Sequence, residues 1–370
     1  MRVGIPREIK NNEYRVAITP AGVAELTRRG HDVIIEAGAG AGSAITDVDF
    51  KEAGAQIQAT ADAIWEQADL VVKVKEPIAA EYARMRSGQT LFTYLHLAAS
   101  RPCTDALLAS GITSIAYETV QARDGSLPLL APMSEVAGRL APQVGAYHLM
   151  RSAGGRGQLM GGVPGTEPAD VVVIGAGVSG VNAATIAMGM GAQVTVFDLD
   201  IAKLRAVDAR FAGRVHTRYS TALALEEAVK RADLVIGAVL VPGAKAPVVV
   251  SNHLVASMKP GSVLVDIAID QGGCFEDSRP TTHDDPTFTV HDSVFYCVAN
   301  MPGSVARTST SALTGATLPY VVALAEKGWQ RACSDDASLA AGLSTHAGAL
   351  LAPSVGAALD LPVGASPLGV

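Results

Sequence analysis

The sequence predicts an α/β fold of two doubly wound, parallel-sheet domains, the first discontinuous and joined to the second by long helices. Three observations carry this reading. Short apolar runs rich in Val and Ile alternate with amphipathic helical runs through most of the chain. A long helical stretch without a strand, near residue 140, separates two such series. The residues after about 307 read as purely helical, and a tail of that kind cannot bury its apolar face alone, so it is expected to pack back on the first series. The expected domains are residues 1–128 plus 307–370, and residues 129–306.

The first unit sets the grammar. Residues 2–6 form a strand, Thr19-Pro20 opens a helix with a capping hydroxyl and a first-turn proline, Gly30 stops it, and 32–36 is the next strand. Strands follow at 70–74, 90–95 and 112–117, separated by helices near 61–68 and 103–110. The dividing helix covers about 133–151, where Pro142 removes a hydrogen bond and predicts a kink or a helix start. After a Gly-rich loop at 154–165 come strands at 170–174, 193–197, 234–239, 262–267 and 293–298, then helix from 309 to 327 and onward.

A length of 370 residues allows each domain its own core, and 49% hydrophobic with 18% charged residues excludes a disordered chain. The net charge of -7 with no basic run excludes nucleic acid as a partner. Cys103, Cys274, Cys297 and Cys333 form no CxxC pair and are expected as buried free thiols. No apolar leader opens the sequence and no stretch approaches a membrane span, which predicts a soluble cytoplasmic protein with no membrane partner.

The strongest motif is Val171-Val172-Val173-Ile174-Gly175-Ala176-Gly177-Val178-Ser179-Gly180. It follows an apolar strand, opens a helix of small residues and is followed by a second strand ending in Asp198, eighteen positions after Gly180. That context makes it a Rossmann dinucleotide fingerprint. Gly175 makes the tight turn, Gly177 lets the backbone approach a pyrophosphate and Gly180 lets the helix pack on the strand. The helix N-terminus favours phosphate, while Asp198 would take ribose hydroxyls and repel a 2′-phosphate, so the cofactor is expected to be NAD. Lys203 leans toward the adenosine end or is a solvated helix lysine.

A dehydrogenase also needs a proton-transfer group and an anion anchor for its substrate. His96 closes the strand Leu91-Phe92-Thr93-Tyr94-Leu95, and imidazole titrates near neutrality; the alternative is a hydrogen-bonded structural histidine. Lys75 follows the strand at 70–74 and needs an anion among its apolar neighbours, either a substrate carboxylate or carbonyl, or Glu76 or Glu13. Arg15 lies in the loop Asn11-Asn12-Glu13-Tyr14-Arg15-Val16 and could grip a carboxylate, or be an ordinary surface arginine. Asp270 reads as the end of the strand Val263-Leu264-Val265-Asp266-Ile267-Ala268-Ile269-Asp270, as an acid beside the cofactor loop or as a turn cap. The histidines neither pair at helical spacing nor cluster with cysteine, so no metal site is expected, and no GxSxG elbow supports a hydrolase.

Several motifs, in order, resemble the bacterial alanine dehydrogenase family: Gly4-Ile5-Pro6, the run Lys10 to Ala17, Val72-Lys73-Val74-Lys75-Glu76-Pro77, Thr93-Tyr94-Leu95-His96-Leu97-Ala98, Pro132 to Arg139, the glycine motif, Asp266 to Gly273, and Val298 to Pro302. The resemblance implies reversible conversion of L-alanine to pyruvate and ammonium with NAD reduction. It implies that Arg15 and Lys75 bind the substrate carboxylate and carbonyl, that His96 and Asp270 are the catalytic pair, and that Tyr94 and Met133 line the substrate pocket. By the same resemblance Ser134, Val178, Ser179, Asp198, Lys203, Ser220, Val239, Leu240, Ile267, Asp270, Arg279 and Val298 line the cofactor cleft, with Asn300 and Met301 near the nicotinamide. The family is typically a homohexamer. Some relatives carry a Glu and a His one turn apart on the C-terminal helix, where Ala323 and Lys327 stand here, so no metal is expected there either. The rival reading is the NAD-binding subunit of a proton-translocating transhydrogenase, which needs no Arg, Lys and His set to anchor a substrate.

Overall fold

Residues 1–239 and 246–368 are described by a computed structural model, in which the chain divides into two units, Met1–Met133 with Gly303–Val370, and Ser134–Pro302. The strands in chain order are β1 Arg2–Ile5, β2 Asp32–Glu36, β3 Gln56–Gln58, β4 Leu70–Val72, β5 Thr90–Thr93, β6 Thr113–Ala116, β7 Asp170–Ile174, β8 Gln193–Asp198 and β9 His216–Tyr219. They continue as β10 Leu234–Gly237, β11 Val263–Asp266, β12 Thr287–Val290, β13 Ser293–Tyr296, β14 Leu343–His346 and β15 Ala349–Leu350.

The sheet of the first unit runs β15-β14-β6-β5-β4-β1-β2-β3, with β1 to β6 parallel. Its central strands are buried on both faces and therefore read as unbroken apolar runs, such as Leu70-Val71-Val72. The helix Pro20–Arg28 begins where Thr19 accepts a hydrogen bond from the Gly22 amide, with a proline in its first turn. Ile34, Ile64, Trp65, Leu91, Leu95 and Leu107 form part of the core on one face of this sheet.

The C-terminal segment is not purely helical, which corrects the expectation from sequence. The helix Ala306–Asp335 is interrupted at Gly328, where φ is +73° and ψ 160°. Beyond it β14 and β15 form an antiparallel hairpin, and β14 pairs with β6 in the same sense. Ser114 and Thr345 hydroxyls meet across that pairing at 2.7 Å. Strands of four and two residues, one of them reading Leu-Ser-Thr-His, carry too little alternation to show in the sequence.

The second unit repeats the plan. Its sheet runs β12-β13-β11-β10-β7-β8-β9, parallel except for the β12–β13 hairpin. In both units the first and fourth parallel strands are neighbours, so strand order reverses there and opens a crevice at the carboxyl ends of the strands. The helix Ala131–His148 passes through Pro142, so the chain neither starts nor ends a helix at that proline. The strand after Ser262 stops at Asp266, and Asp270 falls in a separate 3-10 turn, Ile267–Gln271, instead of ending the strand. All four cysteines are free and buried. No helix among the described residues is long and apolar enough to cross a membrane.

Gly180 shows how closely the second unit packs around its first strand. A Cβ at this position would lie 1.7 Å from the Gly175 carbonyl oxygen, so the helix Val178–Gly189 can sit on its strand only without a side chain there. Gly180→Ala is expected to destabilise this unit by about 1–3 kcal/mol or more, measured as a lowered midpoint in urea unfolding. An unchanged midpoint would mean that the helix backs away from the strand at no cost.

Candidate active site

In the first unit the chemistry-bearing residues follow the carboxyl ends of β1, β4, β5 and β6, around the point where strand order reverses. The foundation is Lys73, a fully buried ammonium 3.1 Å from Glu8 and 2.9 Å from Glu81. Glu8 also accepts the Val74 amide at 2.6 Å. Burial raises the Glu8 pKa even though Lys73 pulls the other way. Two further backbone bonds, Lys73 N to Phe92 O and Tyr94 N to Val74 O, carry the β4–β5 pairing past the last strand residue. The triad thus fixes the main chain that presents Lys75, which is buried and whose carbonyl accepts the Thr93 hydroxyl at 3.0 Å.

Arg15 is not a surface arginine: it is 2% exposed. Its guanidinium grips Glu13 in a fork, Nε to Oε1 at 2.6 Å and Nη2 to Oε2 at 2.5 Å, while Nη1 donates to Met133 Sδ at 3.0 Å. Burial opposes the charge on Glu13, but the hydrogen bonds and charge of Arg15 outweigh it and hold the carboxyl below the usual range. Glu76 pairs with Lys10, so both carboxylates that sequence offered as alternative partners for Lys75 have another cation in contact. The charge of Lys75 lowers the pKa of each of them as well.

Tyr94 donates to the Leu129 carbonyl at 2.5 Å, and burial raises its pKa. Its ring lies parallel to that of His96 at 5.8 Å and edge-on to Tyr117 at 5.1 Å. His96 stands beyond the end of β5 in a left-handed conformation, φ 48°, and keeps 39% of its side chain exposed. Arg15 and Met133 thus form one contact pair and Tyr94 and His96 another, and the charge of Arg15 acts on Tyr94 against the effect of its burial. Sequence reasoning missed Glu118, which follows β6 and accepts from the Leu95 and His96 amides. Its signal was available: an acid just past a strand end, the same kind of position that singled out Asp270.

In the second unit, Gly175 has φ +108° and a Cβ there would strike the Ala238 carbonyl oxygen at 2.5 Å. A Cβ on Gly177, by contrast, would meet nothing within 4 Å, which leaves the backbone open at the start of the helix. Asp198 ends β8 and accepts the Ala176 amide at 2.6 Å and the Asp200 amide at 2.8 Å, tying the glycine loop to the neighbouring strand. Ser220 donates its amide to the Asp198 carbonyl at 3.0 Å. An open glycine, a helix N-terminus and a strand-end carboxylate fit a nicotinamide dinucleotide. Ser134, Ser179, Val239 and Ile267 are partly exposed, Val178 and Lys203 exposed. Arg279 is exposed too, and covers the Phe288 ring at 4.2 Å. Leu240 lies outside the described residues. The side chains of Val298 and Met301 are buried in the core of this unit, and Asn300 is left-handed at φ 60°.

Asp270 is exposed in its 3-10 turn, and the acid that ends the strand is Asp266. Asp266 accepts from the Ala268 amide at 2.9 Å, the Cys274 amide at 2.8 Å and the Ser278 hydroxyl at 2.5 Å. Burial raises its pKa against those bonds. Asp266 therefore folds the turn that carries Asp270. In the neighbouring helix Ala131–His148, Gly138 and Arg139 press on the glycine-loop helix, with Arg139 Nε donating to Asn182 Oδ1 at 2.8 Å.

Lys73→Ala would leave two buried carboxylates without their cation and is expected to cost about 3–5 kcal/mol in denaturant unfolding. Retained stability would mean that the cluster is already neutral without it. For Glu76, burial raises the pKa but Lys10 prevails and lowers it below 4.5. A depressed carboxylate gives its full stabilisation above the unfolded value and loses it as pH falls through the folded one. The stability gap between the wild type and Glu76→Gln is therefore expected to be widest above pH 4.5 and to close as the solution is acidified. Urea titrations at stepped pH check this, and a gap independent of pH would contradict it.

Comparisons with known proteins agree along the chain. The model of the alanine dehydrogenase/PNT N-terminal domain matches residues 4–137, and that of the C-terminal domain matches 141–353. The alanine dehydrogenase of Mycolicibacterium smegmatis is 75% identical over 362 residues, 98% of each chain. That of Halomonas elongata is 59% identical, over 98% of this chain and 97% of its own. A solved L-alanine dehydrogenase superposes with a TM-score of 0.94 at 50% identity, covering 97% of this chain and 99% of its own. The transhydrogenase structure from Sinorhizobium meliloti reaches 0.81 at 29% identity, over 96% and 100%. With both domain models matched in order and relatives this similar over nearly its whole length, the chain belongs to the alanine dehydrogenase/PNT family.

Proposed function

We propose that this protein is an NAD-dependent L-alanine dehydrogenase, interconverting L-alanine and pyruvate plus ammonium. The observation that carries the reading is the 75% identity to an alanine dehydrogenase over 98% of the chain. It is supported by the buried Arg15–Met133 contact and the Tyr94–His96 pair in the first unit, which a nucleotide-to-nucleotide transhydrogenase has no need to keep.

Arg15, preset by its fork onto Glu13, binds the substrate carboxylate. Lys75, anchored on the Lys73 triad, polarises the carbonyl or the developing centre at Cα. Tyr94, held by Leu129, and Met133, held by Arg15, line the substrate pocket, and a substrate whose side chain is a methyl group is selected there by exclusion of bulk. NAD, held along the glycine loop with its ribose on Asp198, supplies the hydride acceptor and, in reverse, the donor. Deamination also adds a water and releases ammonium, and His96 and Asp270 move the protons that this requires. The proposed working form is a cytoplasmic homohexamer.

The test follows nicotinamide absorbance with L-alanine and NAD, then with pyruvate, ammonium and NADH, each repeated with the 2′-phosphorylated cofactor. Activity in both directions with NAD alone is expected. Silence with these substrates, but hydride exchange between nucleotide analogues once a membrane partner subunit is added, would replace this reading with the transhydrogenase one. Asp270→Asn is expected to bind NADH normally and lose about 10²–10⁴-fold in kcat. Full turnover would remove Asp270 from the scheme.

A further inference from the structure

The reach of Glu118 extends to more than one atom of the β5 terminus. It sits in the 3-10 turn Tyr117–Thr119 directly after β6, and β6 pairs in parallel with β5 through Thr93 and Ala116. The two chain ends therefore leave the sheet side by side. Glu118 Oε1 accepts the His96 amide at 2.6 Å, and both carboxylate oxygens lie 3.2 Å from the Leu95 amide. This is the point at which the chain turns into the left-handed region, φ 48° at His96, a conformation that a residue with a side chain adopts at a cost of about 1–2 kcal/mol. A carboxylate accepting two consecutive amides offsets that cost and fixes the turn.

The same oxygen lies 4.0 Å from His96 Nδ1, and Tyr94 covers one face of the ring with its plane only 8° away from parallel. Backbone, ring edge and ring face are thus each constrained, and two of the three constraints come from Glu118. With Nδ1 turned toward this carboxylate, Nε2 is the nitrogen left for the substrate.

We propose that Glu118 is the positioning residue for His96: it holds the strained turn and, through its charge beside Nδ1, directs Nε2 as the nitrogen that gives and takes the proton. This rests on the assignment of His96 as the proton-transfer group of an alanine dehydrogenase. Glu118 does not touch the substrate in this scheme. Its effect falls on the proton steps and spares carboxylate binding at Arg15 and Lys75.

The experiment is a double-mutant cycle on the full-length enzyme with Glu118→Gln, His96→Ala and the pair, assayed with pyruvate, ammonium and NADH. Glu118→Gln keeps an oxygen to accept the His96 amide and removes the charge. It is expected to lower kcat on the order of 10-fold or more, to leave KM for pyruvate and the Kd for NADH unchanged, and to enlarge the solvent isotope effect on kcat. In the His96→Ala background the same change is expected to cost nothing further. Glu118→Asp, with the charge retained on a shorter arm, is expected to recover part of the loss. Additive losses in the pair would show that Glu118 acts elsewhere, and unchanged kcat in Glu118→Gln would overturn the proposal outright. A parallel fall in kcat, NADH affinity and thermal midpoint would reduce Glu118 to a purely structural acid. An inactive wild type would instead defeat the enzyme assignment, so the two failures remain distinct.

Discussion

The buried ammonium of Lys73 is the constraint on which the first unit's site depends. An ion without water is tolerated only when its charge is met, and here Glu8 and Glu81 meet it from the chain following β1 and from the helix Ala79–Tyr82. Such a cluster adds little net stability compared with an apolar replacement, yet it binds three chain segments at one spot. Two residues beyond Lys73 stands Lys75, and a few residues beyond Glu8 stand Glu13 and Arg15. The main chain that presents Lys75, and that leads toward Glu13 and Arg15, is therefore held by a charge lying outside those residues.

Both units use the same device at their sheet edges. Strand order reverses between the first and fourth parallel strands, and the loops that leave the sheet there hold the candidate site residues: Glu8 to Arg15 and Lys73 to Glu76 in one unit, the glycine loop and Val239 in the other. Around these loops, acids that end strands hold the backbone in place. Asp198 ties down the Ala176 amide, Asp266 folds the turn carrying Asp270, and Glu118, just past β6, holds the left-handed turn at His96. Two of the residues with side chains in left-handed backbone, His96 and Asn300, lie just past β5 and β13 respectively.

Much of this is legible in the sequence. Thr19-Pro20 marked a helix start because its capping is local, and the glycine motif fixed a strand, a turn and a helix because each glycine answers a steric demand within a few residues. The polar strands Gln56–Gln58 and His216–Tyr219 leave no strand signal in the sequence because they sit at sheet edges, where alternation is weak. The apolar run that continues past Asp266 reads as strand as far as Asp270, and nothing in the run itself reports that Asp266 turns back to cap its own successors.

The chain's linear order was therefore enough for the α/β class, the dinucleotide loop, the residue types suited to anchoring a carboxylate and moving a proton, and the family to which they belong. Those features depend on neighbours a few positions apart. Only the tertiary structure decided that Arg15 is buried on Glu13 and Met133, that Lys73 supports Lys75, that Glu118 stands over His96, and that the C-terminal hairpin pairs with β6. Most of these partners lie 22 to over 200 positions apart, and for such pairs it is the folded sheet, not the spacing, that sets which charges and amides meet.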